Sequence, residues 1–131
     1  MSFSSAQYDK FCEQTVTEWR AFTFSDDGEL LVYRVSAGET VPFWSSRSRL
    51  ETIQRRLPKY RQWQITELGF QEFWRRLNQL EGEGVQVGAN WSGQELTGYN
   101  VPVAEFRKAL EYWIDRLGKR ALLDMNGRGD R

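Results

Sequence analysis

The chain has 131 residues, with 18 basic and 18 acidic side chains and no formal net charge. That length suits a single domain with a core of its own, and zero net charge supplies no global field drawing it to nucleic acid or membrane. With no histidine and one cysteine, ordinary zinc and transition-metal sites, Ser-His-Asp and Cys-His catalysis and an internal disulfide are excluded. No cofactor and no metal is expected. Chemistry by carboxylate, lysine or tyrosine stays open.

The first residues, MSFSSAQYDKF, lack a basic segment followed by an apolar run, so no signal peptide is read there. No stretch approaches the ~20 apolar residues of a membrane span. A lone cysteine fits a reducing compartment, and a cytoplasmic location is the expectation.

Residues 4–19 read as a helix, capped by Ser4 or Ser5, with Tyr8, Phe11, Cys12, Val16 and Trp19 on one face. Cys12 on that stripe reads as a core residue. Residues 20–24 and 30–35 then read as strands around Ser25-Asp26-Asp27-Gly28-Glu29, since Asp-Gly between β-rich runs is a hairpin signal. A second turn at Ser36-Ala37-Gly38 leads into a strand ending at Trp44, giving a three-stranded antiparallel meander. Both faces of 30–35 are apolar, so cover is expected on both sides. Pro42 cannot donate to a ladder, which marks its strand as an edge or as paired on one side there.

Val41 to Leu57, VPFWSSRSRLETIQRRL, carries the strand directly into a helix. The spacing of Leu50, Ile53 and Leu57 predicts one helical face, with Ser45-Ser46 as its cap and Pro58 as its stop. After a short polar link at 59–61, WQITEL (63–68) reads as a strand. Gly69 opens the clearest helix, with Phe70, Phe73, Trp74, Leu77 and Leu80 inward, ended by Glu81-Gly82-Glu83-Gly84. Residues 85–91 and 97–101 read as a hairpin, and Pro102 starts a last helix with Val103, Phe106, Leu110, Trp113, Ile114 and Leu117 as its stripe. Residues 126–131 read as a disordered tail beyond a domain at 1–125. The order α-βββ-α-β-α-ββ-α predicts an α+β fold: about four helices and a mainly antiparallel sheet of about five to six strands.

Two surface constellations stand out. Residues 46–76 hold eight bases against three acids, whereas residues 1–45 hold seven acids against three bases. Arg47, Arg49, Arg55, Arg56, Lys59 and Arg61, interleaved with Tyr60 and Trp63, could follow a phosphate backbone and stack bases; alternatively they form solvated helix faces opposite the acidic N-terminal third. Asn90-Trp91-Ser92-Gly93 with Tyr99-Asn100 gathers aromatic and amide groups at a hairpin loop, where Trp and Tyr are common interface anchors. Asn90, Trp91, Tyr99 and Asn100 are therefore the candidate binding residues. The opposing reading is that Trp91 closes the sheet edge.

VPFWSSRSRLE (41–51), WQITELGFQEFWRRL (63–77), VQVGANWSG (85–93) and VPVAEFRKALE (101–111) resemble a small bacterial family, domain of unknown function 2750. The resemblance spans roughly residues 8 to 113 and is strongest at Trp44, Ser46 to Leu50, Phe73-Trp74 and Gly88 to Trp91. It implies one α+β domain and no particular activity. The arginine-rich run from Arg55 to Arg61 departs from the more acidic family pattern, so no partner class carries over. The reading from the residues is a non-catalytic protein-interaction module, binding a protein partner or itself, with a nucleic-acid-binding module as the alternative and a small enzyme as a third reading.

Overall fold

The computed structural model describes residues 3–35, 38–93 and 96–129. These form five helices and seven strands in an α+β arrangement. Helix α1 (Phe3–Glu18) is followed by strands β1 (Arg20–Asp26), β2 (Glu29–Leu30), β3 (Tyr33–Val35) and β4 (Gly38–Phe43). Then come α2 (Arg47–Arg56), a 3-10 turn at Pro58–Tyr60, β5 (Gln64–Gly69) and α3 (Phe70–Gly82). Strands β6 (Gln86–Ser92) and β7 (Thr97–Pro102) precede α4 (Val103–Arg116) and α5 (Arg120–Gly129). Among the described residues no helix is long and apolar enough to cross a membrane.

The expected single sheet is two sheets, β2-β1-β5 and β3-β4-β6-β7. The meander breaks inside residues 30–35. Leu30 packs toward one hydrophobic cluster and Leu31 is buried in another, so the alternation that made both faces apolar serves two different cores. The chain leaves β2 at that point and joins the second sheet as β3. The two sheets touch through a bridge between Phe22 and Trp44, each N–H donating to the other's carbonyl at 2.8 Å.

Pro42 is paired on one side only, with Gly88 of the parallel strand β6. It does not leave an open edge, because Thr23 Oγ1 donates to the Pro42 carbonyl at 2.9 Å and the Phe22–Trp44 bridge covers the next residue pair. An unpaired strand there for a partner is therefore ruled out.

The larger cluster lies between the second sheet and helices α1, α3 and α4. Phe11, Phe73 and Phe106 meet there with ring centres 5.4–6.3 Å apart, while Phe43 meets Phe73 at 5.0 Å. The smaller cluster lies beneath α2: Phe22, Phe24, Trp44, Leu50, Ile53, Tyr60, Trp91 and Leu96. Strand β1 is buried along 21–25, feeding Ala21 to the first cluster and Phe22 and Phe24 to the second.

The α3 stripe is as expected, with Phe70, Phe73, Leu77 and Leu80 buried. Gly84 at φ +71° reverses the chain, and the Val85 N–H returns to the Leu80 carbonyl at 3.2 Å. Past α4, helix α5 runs to Gly129, so residues 126–129 complete a helix; 130 and 131 lie outside the described residues.

Candidate functional site

Helix α2 and the end of β6 enclose a groove of about 160 Å³. One wall is the α2 face bearing Arg49, Ile53, Arg56 and Leu57; the other is Trp91 with Gly93. Ile53 and Leu57 recur at helical spacing, so α2 presents apolar floor and cationic rim on adjoining strips of its surface.

Trp91 reaches this place through a break in its strand. Val87 and Ala89 face the larger cluster, and strict alternation would send Trp91 there as well. The β6–β7 register shifts between Ala89 and Ser92, with Asn90 at φ +51°. Asparagine tolerates that left-handed conformation better than most residues, and the bulge turns Trp91 to the opposite face. Its indole then lies against Gly88 and Gly98, where an added Cβ would come within 2.4 and 2.7 Å of the ring. The indole N–H donates to the Tyr99 carbonyl at 3.2 Å, and the Trp91 carbonyl accepts from Trp44 Nε1 at 2.8 Å. Tyr33 packs on the indole with centres 5.3 Å apart.

The start of α2 is fixed from the same bulge. Asn90 Oδ1 accepts the Ser45 backbone N–H at 3.0 Å, and Asn90 Nδ2 donates to Ser45 Oγ at 3.1 Å. Ser45 Oγ in turn donates to Gln14 Oε1 of α1 at 2.7 Å. The expected serine cap is not made: Ser46 stands at the N-cap position without a side-chain cap bond, and Ser45 is engaged with Asn90. A pair separated by 45 positions instead anchors the residue just ahead of the helix.

The family model described as "Protein of unknown function (DUF2750)" matches residues 8–110, which include α2 and the β6–β7 hairpin. The chain belongs to this family. No curated protein matches it.

In this DUF2750 domain the four hairpin candidates separate. Asn90 and Trp91 are buried, at 2% and 6% exposure, so neither is a protruding anchor: Asn90 is a positioning residue, and Trp91 offers only the part of its surface that lines the groove. Tyr99 is 41% exposed but belongs to the opposite side of the sheet from Gly98 and the indole, its ring 4.9 Å from Tyr8 of α1. Asn100 Nδ2 donates across the hairpin to Gln86 Oε1 at 2.6 Å.

The basic candidates stay together and on the surface. Arg61 closes the C-terminal end of α2, Nε donating to the Gln54 carbonyl at 3.0 Å and Nη2 to that of Arg55 at 3.4 Å. Arg55 Nη2 donates to Thr52 Oγ1 at 3.0 Å, and Lys59 Nζ sits 5.3 Å from the Tyr60 ring centre. Arg47, Arg49 and Arg56 have no hydrogen-bond or carboxylate partner among the described residues. Burial pulls the half-buried Arg49 guanidinium below the usual arginine range. Among the described residues none of the six basic candidates pairs with a carboxylate, whether of the acidic N-terminal third or elsewhere.

Elsewhere the described arginines are engaged. Arg20 meets Glu18 and Glu67, Arg34 meets Glu39, and Arg75 and Arg76 share Glu72. Arg107 pairs with Glu81, Arg120 with Asp115, and Arg116 lies over Trp113. The α2 arginines and Trp91 were each legible in the sequence as separate candidates, but their meeting across one groove, with Ile53 and Leu57 between them, was not. Net positive charge on α2 was the available signal. The face exchange at Asn90 left none beyond the identity of the asparagine.

Proposed function

We propose that this protein is a non-catalytic protein-interaction module whose binding surface is α2 and the adjoining end of β6. The observation that carries this reading is Arg49, a half-buried guanidinium at the groove with no carboxylate and no hydrogen-bond partner among the described residues. Withdrawing a cation from water without pairing it costs folding free energy. A partner's carboxylate supplies the missing half. Arg47 and Arg56 extend the same uncompensated surface, and arginine and tryptophan are the residue types that dominate interface energetics.

The nucleic-acid alternative uses the same cations but needs aromatic faces open to bases. Tyr60, the aromatic in the middle of the basic run, is 4% exposed and stacked on Phe24 at 5.7 Å. That favours a protein partner. The test is titration of the whole protein with polyglutamate and, separately, with single-stranded RNA, each at low and high salt. Saturable polyglutamate binding that weakens when Arg47, Arg49 and Arg56 are changed together to Gln supports the reading. RNA binding with the same variant dependence, and none to polyglutamate, overturns it.

A further inference from the structure

Resting on that reading of the surface, we propose that the groove between α2 and Trp91 takes one apolar side chain of an acidic peptide segment, with carboxylates on either side of the anchor. Size, lining, charge and rigidity each bear on this.

The groove measures about 160 Å³, and an apolar cavity of about 150 Å³ is enough to hold a benzene ring. Drug-sized and cofactor sites occupy about 300–1,000 Å³. One aliphatic or aromatic side chain therefore fills this groove, and a nucleotide or large cofactor does not fit it. Its floor is Ile53, Leu57 and the Trp91 indole, which gains free energy by excluding water from an apolar occupant.

Arg49 and Arg56 are seven residues apart on α2, about 10 Å along the axis. An extended peptide covers that distance in three residues at ~3.3 Å each. Carboxylates flanking a central anchor can thus meet both guanidinium groups at once. Among the described residues neither arginine has a carboxylate of its own to give up first.

The walls are set before any partner arrives. Trp91 lies against Gly88 and Gly98, and its indole N–H donates to the Tyr99 carbonyl. A wall already in one rotamer loses little freedom on binding, which favours affinity from a short contact.

The probes are five-residue peptides, blocked at both ends, with four glutamates around a central leucine or a central alanine. Fluorescence anisotropy with the full chain measures their affinities. The leucine peptide should bind about tenfold more tightly than the alanine peptide, as expected for burying one leucine side chain. Ser92→Trp plugs the groove from the β6 side without touching a cation, and Thr52→Trp plugs it from the α2 side at the cost of the Oγ1 that accepts from Arg55. Each should abolish the leucine preference while leaving residual salt-sensitive binding, with circular dichroism and cooperative melting confirming the fold. Equal binding of the two peptides overturns the anchor inference and leaves the cationic surface standing. Failure of both peptides to bind, with RNA binding instead, overturns the anchor and the surface reading together. A salt-sensitive dimer that excludes the peptides identifies a second copy as the occupant and overturns the peptide assignment.

Discussion

The two hydrophobic clusters of this domain are built for different ends. The larger one is closed by α1, α3 and α4 and relies on interlocking phenylalanines, with Phe11, Phe43, Phe73 and Phe106 each fully buried. The smaller one relies on Trp44 and Trp91, whose indole N–H groups are both satisfied by backbone carbonyls, and it ends at a groove rimmed by arginines. Close packing alone specifies the first. The second also has to hold a wall in place, and it does so with hydrogen bonds, two glycines and a bulge. Interlocking rings concentrate in one cluster, and the arginines without a partner among the described residues lie beside the other.

Phe73→Ala should produce the largest loss of stability, because the ring meets four other phenylalanines. Deleting a buried phenylalanine costs about 3–5 kcal/mol, read as a lower denaturant midpoint with an unchanged slope. A loss under about 1 kcal/mol would mean that the phenylalanine cluster is not where the stability resides.

Gly88→Ala works on the other cluster. Its Cβ would stand 2.4 Å from the Trp91 indole, so the ring or the strand must shift, at about 1–3 kcal/mol for overpacking. The groove should change shape with it. A crystal structure of the variant with the indole unmoved would separate the wall from the glycine.

A smaller effect comes from Cys12 in the larger cluster. Burial first, and the Asp9 carboxylate second, push its thiol well above the ordinary value of 9.0. The folded state therefore holds the proton that the unfolded state releases, so this contribution is complete below pH 9 and declines as pH rises above it. Stability should fall by about 1 kcal/mol between pH 9 and 10, before the unfolded-state tyrosines titrate near 10.0. In Cys12→Ala most of that decline should be lost, leaving the smaller part that Tyr8 and Tyr60, both raised by burial, contribute as pH nears 10. If the whole decline persists, another group is responsible.

How much of this could be read in advance divides along the same line. The α3 helix was legible because Phe70, Phe73, Leu77 and Leu80 repeat at helical spacing and face one continuous core. Strand β5 and the β6–β7 hairpin were legible from apolar runs and glycine turns. Residues 30–35 were misread as one strand because a double-sided apolar pattern looks the same whether one sheet is covered twice or one segment serves two cores. Tyr60 was placed in a polar link, yet Gln54 Nε2 donates to its carbonyl at 3.1 Å and its ring is stacked inside. Trp91 was taken for a surface anchor because the reversal at Asn90 depends on a long-range partnership with Ser45, invisible to local periodicity. The cations on α2 were read at their true positions. What the sequence could not show was that, among the described residues, no carboxylate pairs with them.

If α2 carries its arginines for binding rather than for folding, removing one should leave the fold intact and weaken the complex. Arg49→Met tests it most directly, since methionine keeps the aliphatic stem and removes the partnerless charge. Denaturant stability and affinity for the acidic leucine peptide should be measured on the same preparation. Stability within about 0.5 kcal/mol of the parent, or above it, is expected together with roughly tenfold weaker peptide binding. A loss of more than about 1 kcal/mol with binding unchanged would contradict it and return Arg49 to the fold.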